Sequence, residues 1–462
     1  MAEISARKRI WGWWFFDWAS QPYNTLLLTF IFGPYFSKVV TEMLIRDGMA
    51  EDLAKAEAQA YWGYGLTIAG ILIAISAPIL GAVADSTGRR MPWVWVFSAL
   101  YVIGSGALWY TTEPGQFSIT QTLFYFGLGL IGMEFATIFT NSMLPDLGDR
   151  HEVGEISGSG WAWGYVGGVI SLAMMLLLFQ AGSDGLTMAR IPPILGLDPA
   201  TGADTRAVAP LTAIWYVVFM VPFFLWVRGV DDAEHQRYKV GKALGDLGRT
   251  LRGLPKHPSL LAYLTSSMIY RDALNGVYTF GGIYALGVLN WPIMKVGIFG
   301  IVGALTGALF AWLGGKADRR YGPKPVIVTC IVILFLTAIA IVTITPTSVL
   351  GLPVAAGSSL PDYAFFFCGG LIGAAGGAMQ SASRTMVVWQ SNPERMTEAF
   401  GLYALSGKAT TFLAPALIAL ASDISGSQRI GVLPIAGLFL IGLILLRWVN
   451  PEGDKETWSA SS

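Results

Sequence analysis

Residues 81–90 read GAVADSTGRR, and residues 314–324 read GGKADRRYGPK. Each stretch sets a glycine, three residues, an aspartate, then a glycine and basic residues between two long apolar segments. The glycines let the chain turn where a side chain would resist, and the basic residues hold such a turn on the cytoplasmic face of a membrane. Asp85 and Asp318 can accept hydrogen bonds from a neighbouring helix end or pair with the local arginines. One copy alone reads as a basic loop with an incidental aspartate. Two copies in matching places describe two copies of one membrane module.

The composition agrees. The chain has 462 residues, 54% of them hydrophobic and only 13% charged, against about a quarter charged in soluble domains. Formal net charge is zero, so nothing points to nucleic acid. Cys330 and Cys368 lie in separate apolar segments and predict neither a disulfide framework nor a metal site. A membrane-embedded enzyme would need a clustered catalytic set. The three histidines, His151, His235 and His257, all lie in loops, so no enzyme, metal or cofactor is expected. GLYALSGKAT (401–410) imitates a phosphate loop but fails: five residues separate Gly401 from Gly407, and Ala409 follows Lys408 where Ser or Thr should be. The glycines of GSGWAWGYVGG (158–168) suit close helix packing in lipid. ARKRIWGWWFF looks like a signal peptide but lacks a small-residue cleavage site, so it predicts a retained first helix.

A bilayer-crossing helix needs about 20 apolar residues. Twelve such segments are expected: 11–38, 60–84, 91–112, 117–143, 156–181, 209–228, 260–288, 293–315, 325–345, 362–389, 398–421 and 430–448. The fold class is therefore an all-α membrane protein of two parallel six-helix repeats. Residues 1–228 form one bundle, 229–258 a linker and 259–462 the second bundle. With both termini inside, twenty lysines and arginines fall on the cytoplasmic side and seven outside, counted over the loops and the span ends that meet them. Val240, Leu244, Leu247, Leu251 and Leu254 share one helical face, which predicts an interfacial helix in the linker. EDLAKAEAQA (51–60) predicts a short, separate, solvated helix. A second duplication supports the halves: Glu155-x-x-Gly158 with Gly164 matches Glu398-x-x-Gly401 with Gly407. Each follows a proline-bearing loop, LPDLGD (144–149) and NPE (392–394).

Gly81, Asp85, Gly88, Arg89 and Arg90, with Gly314, Asp318 and Gly322 in the second copy, resemble the signature of the major facilitator superfamily. The second copy carries one extra residue before its last glycine and Pro323 ahead of Lys324. FFDWASQPYNTLLLTFIFGPYF (15–36), LPDLGDRHEVGEISGSGWAWGYVGG (144–168), MIYRDALNGVYTFGGIYA (268–285) and AMQSASRTMVVWQSNPERMTEAFGLYALSGKATTFLAP (378–415) resemble its vacuole-effluxer branch. That branch includes fungal autophagy-related amino-acid exporters and their bacterial relatives. The branch pattern falls on Asp17, Arg271, Asp272, Gln380, Ser383, Arg384, Gly401 and Lys408. The fourth span carries Glu134 where many proton-coupled facilitators have an arginine.

The resemblance implies a secondary transporter moving a small solute, amino acids above all, outward by alternating access. Export of drugs or other organic solutes, or a transport-dead sensor, are the alternatives. Ionisable groups inside spans are expensive in lipid and face protein or water. Asp17, Glu134, Arg271, Asp272, Arg384 and Lys408 are therefore the candidates for substrate binding or proton coupling, with Asn24 and Gln380 adding hydrogen bonds. Arg271 and Asp272 point about 100° apart, so at least one must reach a different helix or the cavity. Asp17, Glu134, Arg384 and Lys408 are the expected charged partners. The two GxxxD loops are expected to gate. The expected partners are a small-molecule substrate, protons and lipid, acting on a monomer in the bacterial inner membrane. No long insertion or targeting segment is seen.

The charge count makes a topological prediction. Reporter fusions in 39–59 and 182–208 should report an external location and a fusion in 229–258 an internal one. The reverse pattern would overturn the orientation.

Overall fold

In hydrocarbon, every backbone N–H and C=O must bond within the protein, which leaves helices as the form for single apolar segments. The computed structural model describes residues 4–112, 117–182, 184–227, 240–291, 293–355 and 357–454. The expected linker 229–258 falls partly outside the described residues, at 229–239.

α1 (Ala6–Pro22) runs through a π-helical stretch, Tyr23–Phe30, into α2 (Phe32–Arg46). Pro22 has no N–H to give to the preceding turn, and the widened turn begins beside it. α3 (Glu51–Thr87), α4 (Met91–Ala107), α5 (Ile119–Ser142) and α6 (Val153–Met174) follow, then the short α7 (Ala203–Arg206) and α8 (Val208–Trp226). α9 (Val240–Gly253) occupies the linker, and Leu247 on its predicted apolar face is buried. The second half contains α10 (Pro258–Gly287), α11 (Ile293–Tyr321), α12 (Pro323–Val342), α13 (Leu360–Gln390), α14 (Met396–Ala409), α15 (Leu413–Ser425), α16 (Gln428–Gly431) and α17 (Pro434–Leu445). Strands β1 (Ser348–Val349) and β2 (Leu352–Pro353) make a small antiparallel hairpin between α12 and α13.

Eleven segments among the described residues are long and apolar enough to cross a bilayer. The remaining expected span, 260–288, is α10, a 30-residue helix. Ser266, Ser267, Tyr270, Arg271, Asp272 and Asn275 make it too polar to rank with the others. One expectation is corrected: EDLAKAEAQA is not a separate helix. α3 runs unbroken for 37 residues from Glu51, because nothing between Leu53 and Tyr61 breaks a helix and its alanines favour one.

The chain divides into two compact units, residues 1–76, 89–140 and 163–233, and residues 77–88, 141–162 and 234–462. The first has an aromatic interior. Tyr101 stacks on Tyr216 at 3.9 Å and the indole of Trp13 donates to the Thr140 carbonyl at 2.8 Å, while the exposed Trp95 covers Phe224 at 3.6 Å. In the second unit α11 and α13 pack backbone to backbone. Gly373 and Gly377 of α13 lie against the carbonyls of Gly303 and Gly307, with no room for a Cβ. This is the small-residue seam by which helices associate in lipid, where burial of apolar surface supplies no drive.

Gly377→Val should therefore destabilise the protein, because overpacking a tight contact costs about 1–3 kcal/mol. Gly437→Ala, with open space around it, should leave the melting temperature in detergent unchanged. Equal melting temperatures for the two variants would contradict the seam.

Candidate functional site

The two sequence duplications meet each other in the second unit. The end of α3, which carries the first GxxxD, packs on the start of α14, which carries the second ExxG. A Cβ on Gly81 would lie 2.6 Å from the Thr397 carbonyl oxygen, and one on Gly401 2.6 Å from that of Ala77. The end of α11, which carries the second GxxxD, packs in the same way on the start of α6. There a Cβ on Gly158 would lie 2.5 Å from the Ala311 carbonyl oxygen.

The first junction is closed by a helix cap supplied from elsewhere in the chain. Asp85 accepts the backbone N–H groups of Thr397 at 3.2 Å and Glu398 at 2.8 Å, in the first turn of α14. A carboxylate there satisfies donors that the helix cannot and meets the positive end of its dipole. Gly88 follows with φ at +65°, ending α3 in the left-handed conformation that glycine adopts readily. The second junction differs. Asp318 is 1% exposed and lies against Gly154, and the donor beside its carboxylate is the Thr385 hydroxyl, not a helix end. Its neighbour Arg319 instead pairs with Glu155 at 2.6 Å, and Arg395 pairs with Glu398 at 2.7 Å. Arg89 is exposed, and Arg90 is the residue before α4. Gly314 lies against Ala378, and Gly322 turns the chain with φ at +82°.

Behind these junctions lies Arg384 of α13, 3% exposed. Its Nε donates to the Ser157 hydroxyl at 2.9 Å, one Nη to Asn141 Oδ1 at 3.1 Å and the other to the Ser157 carbonyl at 2.7 Å. One guanidinium thus ties the ends of α5 and α6 to α13. Ser383 beside it is held by two tyrosines of α10, its carbonyl by Tyr263 and its hydroxyl by Tyr270. At the rim, Arg150 lies 4.0 Å over the Trp389 ring and pairs with Glu452 at 2.6 Å. Partial burial lowers its pKa, and Glu452 raises it in part.

Arg271 and Asp272 both reach the eleventh span, but by backbone. Arg271 donates to the Tyr403 carbonyl at 3.0 Å, its guanidinium 4.0 Å over the Tyr403 ring. Asp272 accepts the Ala414 N–H at 2.7 Å. Neither forms an ion pair among the described residues, which corrects the expectation of a charged partner. A peptide group occurs at every residue, so no sequence signal marks it. Gln380 and Lys408 are half-buried in the same unit. Asp17, Asn24 and Glu134 are half-buried in the other unit, where Gly164 lies against the Asp17 backbone. That unit also has a cavity of about 480 Å³ lined by Ser5, Arg7, Lys8, Trp11, Phe15 and Trp226. It holds none of the candidate residues. No group of three or more His, Cys, Asp or Glu placed to hold a metal occurs among the described residues.

A family model described as "Vacuole effluxer Atg22 like" matches residues 5–458. The chain belongs to this family. The uncharacterised MFS-type transporter YxiO of Bacillus subtilis is 24% identical over 458 residues, 96% of this chain and 95% of that one. Autophagy-related protein 22 of Cryptococcus neoformans is 23% identical over 319 residues, 67% of this chain. The chain spans about half the length of such fungal relatives, 53% in that case. Among solved structures, the human organic anion transporter MFSD10 superimposes with a TM-score of 0.70 at 15% identity, covering 96% of this chain and all of that one. The proton:xylose symporter XylE does so with 0.69 at 11% identity, covering 98% and 99%. At such identities the likeness shows the fold, that of the major facilitator superfamily. This Atg22-like chain is a multi-pass membrane protein and an MFS-type transporter.

The Ser157, Asn141 and Arg384 cluster makes a direct prediction. Arg384→Ala strands buried acceptors at about 1–3 kcal/mol each, and should lower the melting temperature well beyond any exposed arginine change such as Arg89→Ala. Arg384→Lys should not restore it, since an ammonium lacks the planar fork that serves three acceptors. Full rescue by lysine would show that charge alone matters.

Proposed function

We propose that this chain is a secondary active transporter that carries amino acids out of the cell by alternating access. It lies in the inner membrane with both termini cytoplasmic and works as a monomer. The single observation behind alternating access is the pair of crossed junctions. Each joins one GxxxD stretch to the ExxG stretch of the other repeat through reversible contacts: a capped helix end or an ion pair. Such contacts can hold one access state and release in the other. In this reading Gly81, Asp85, Gly88, Arg89, Arg90, Gly314, Asp318 and Gly322 gate. Arg384 serves the closed junctions through its bonds to α5 and α6.

Substrate and proton coupling then rest on Asp17, Asn24 and Glu134 in one unit and Arg271, Asp272, Gln380 and Lys408 in the other. An amino acid presents one carboxylate and one ammonium, and the second unit by itself carries both signs, in Arg271, Lys408 and Asp272. Efflux is supported by the family's description as vacuole effluxers, and the choice of amino acids by the mixed charges of the candidate residues.

Proteoliposomes loaded with a radiolabelled amino-acid mixture should lose label faster than protein-free ones, and a pH gradient should change the rate. In the same assay Asp85→Asn should slow exchange several-fold while substrate affinity stays within a few-fold. No flux with any amino acid would reject the substrate class. A large affinity loss with normal exchange would make Asp85 a ligand instead of a latch.

A further inference from the structure

The eleventh span is two helices. α14 ends at Ala409, Thr410–Phe412 turn, and α15 begins at Leu413. Pro415 explains the interruption, since its ring excludes the carbonyl four residues back and it brings no N–H. Within the first turn of α15, Leu413 N–H bonds the Thr410 carbonyl at 2.8 Å and Ala416 N–H that of Phe412 at 3.0 Å. The Ala414 N–H is left over, and Asp272 takes it at 2.7 Å.

One turn of α10 holds both sides of the break. The Met268 carbonyl accepts from the Thr410 hydroxyl at 3.2 Å, Arg271 holds Tyr403 in α14, and Asp272 holds Ala414 in α15. Gly407 leaves room for the Arg271 guanidinium, whose Cζ would lie 2.7 Å from a Cβ there. Asp272 is 2% exposed, and its Oδ1 has no hydrogen-bond partner among the described residues. A carboxylate so placed is held by one N–H and the end of a helix dipole, much less than its charge receives in water. Arg271 is only half-buried, and Asn275, Thr411 and Phe412 around the break are exposed.

In membrane carriers, the N-terminus of a broken helix is a receptor for an anionic group of the substrate. Here a carboxylate of the protein itself already sits there. We propose that Asp272 stands in for the carboxylate of the substrate, and that the two compete for the N-terminus of α15 beside Arg271. This rests on the reading of the chain as a carrier of amino acids. A carboxylate from solution takes the Ala414 N–H only when Asp272 has accepted a proton and let go. When the substrate leaves, the proton leaves Asp272 for water and its carboxylate recaptures Ala414. Binding of one carboxylate therefore takes up one proton, and one proton travels with the substrate in either direction. Export down a solute gradient carries protons out with it.

The charged and titratable groups on the elements around this turn are few. Within a turn of Asp272 on α10 they are Tyr270 and Arg271, with Tyr263, Tyr278 and Tyr284 further along; α14 brings Tyr403 and Lys408, and its Glu398 is paired with Arg395. On α13, Arg384 is committed to Asn141 and Ser157. The first ionisable residue of α15 is Asp423, about 13 Å along the helix from Ala414 at 1.5 Å per residue, and α17 has none. Asp272 is thus the acid positioned to exchange the proton at this helix end.

Calorimetry of the full-length protein in two buffers of different ionisation enthalpy counts the protons taken up on binding. With leucine as probe, the wild type should take up close to one proton. Its affinity should fall about tenfold per pH unit on the alkaline side, as linkage to one proton requires. Leucinamide, which lacks the carboxylate, should bind at least tenfold more weakly. Asp272→Asn imitates the protonated acid and should hold the acid-side affinity at every pH with no proton uptake. Acetate against acetamide, read by thermal stabilisation, probes the same site without assuming an amino acid. Unchanged proton uptake in Asp272→Asn, or leucinamide binding as tightly as leucine, overturns the proposal. So does indifference to both leucine and acetate. Acetate binding with proton uptake but no leucine binding would reject the amino-acid reading and keep the competition.

Discussion

Two backbone N–H groups at the start of α14 are answered by a carboxylate more than 300 residues away in sequence, Asp85. The contact exists only because the helices around it touch backbone to backbone, at Gly81 and Gly401. Larger residues at these points would hold the helix ends apart and leave Asp85 short of its donors. The two junctions share this shape but not their chemistry. One is a helix cap. The other buries its aspartate beside the Thr385 hydroxyl, away from any helix end, and relies on the half-exposed Arg319–Glu155 pair. Salt screens exposed pairs far more than partly buried ones, so the two junctions differ in what loosens them.

Much of this was legible in the residues. Apolar length located the spans, and the GxxxD and ExxG repeats marked the helix ends that turn out to bind each other. The repeats were read separately, because single-sequence periodicity says which motifs recur and not which recurrences touch. Arg384 was legible as a costly buried charge. Its partners were not, since Ser157 and Asn141 are ordinary polar residues with no pairing signal. Arg271 and Asp272 show the same limit: their partners are peptide groups, and Pro415 is the only sequence mark of the freed N–H. The π-helical stretch of Tyr23–Phe30 left no pattern beyond Pro22. The unbroken α3 is hidden in the sequence because the charged residues of 51–60 suit solvent, while helix propensity runs on through them.

That continuous α3 has a mechanical meaning. Its 37 residues make a rod of about 55 Å at 1.5 Å per residue, against a hydrocarbon layer about 30 Å thick. One end, 77–88, belongs to the unit that contains the junctions, while the rest belongs to the other. Such a rod exceeds the hydrocarbon by about 25 Å even before any tilt. That excess lets Glu51, Lys55 and Glu57 stay on one unbroken helix and still reach the polar layer beside the membrane.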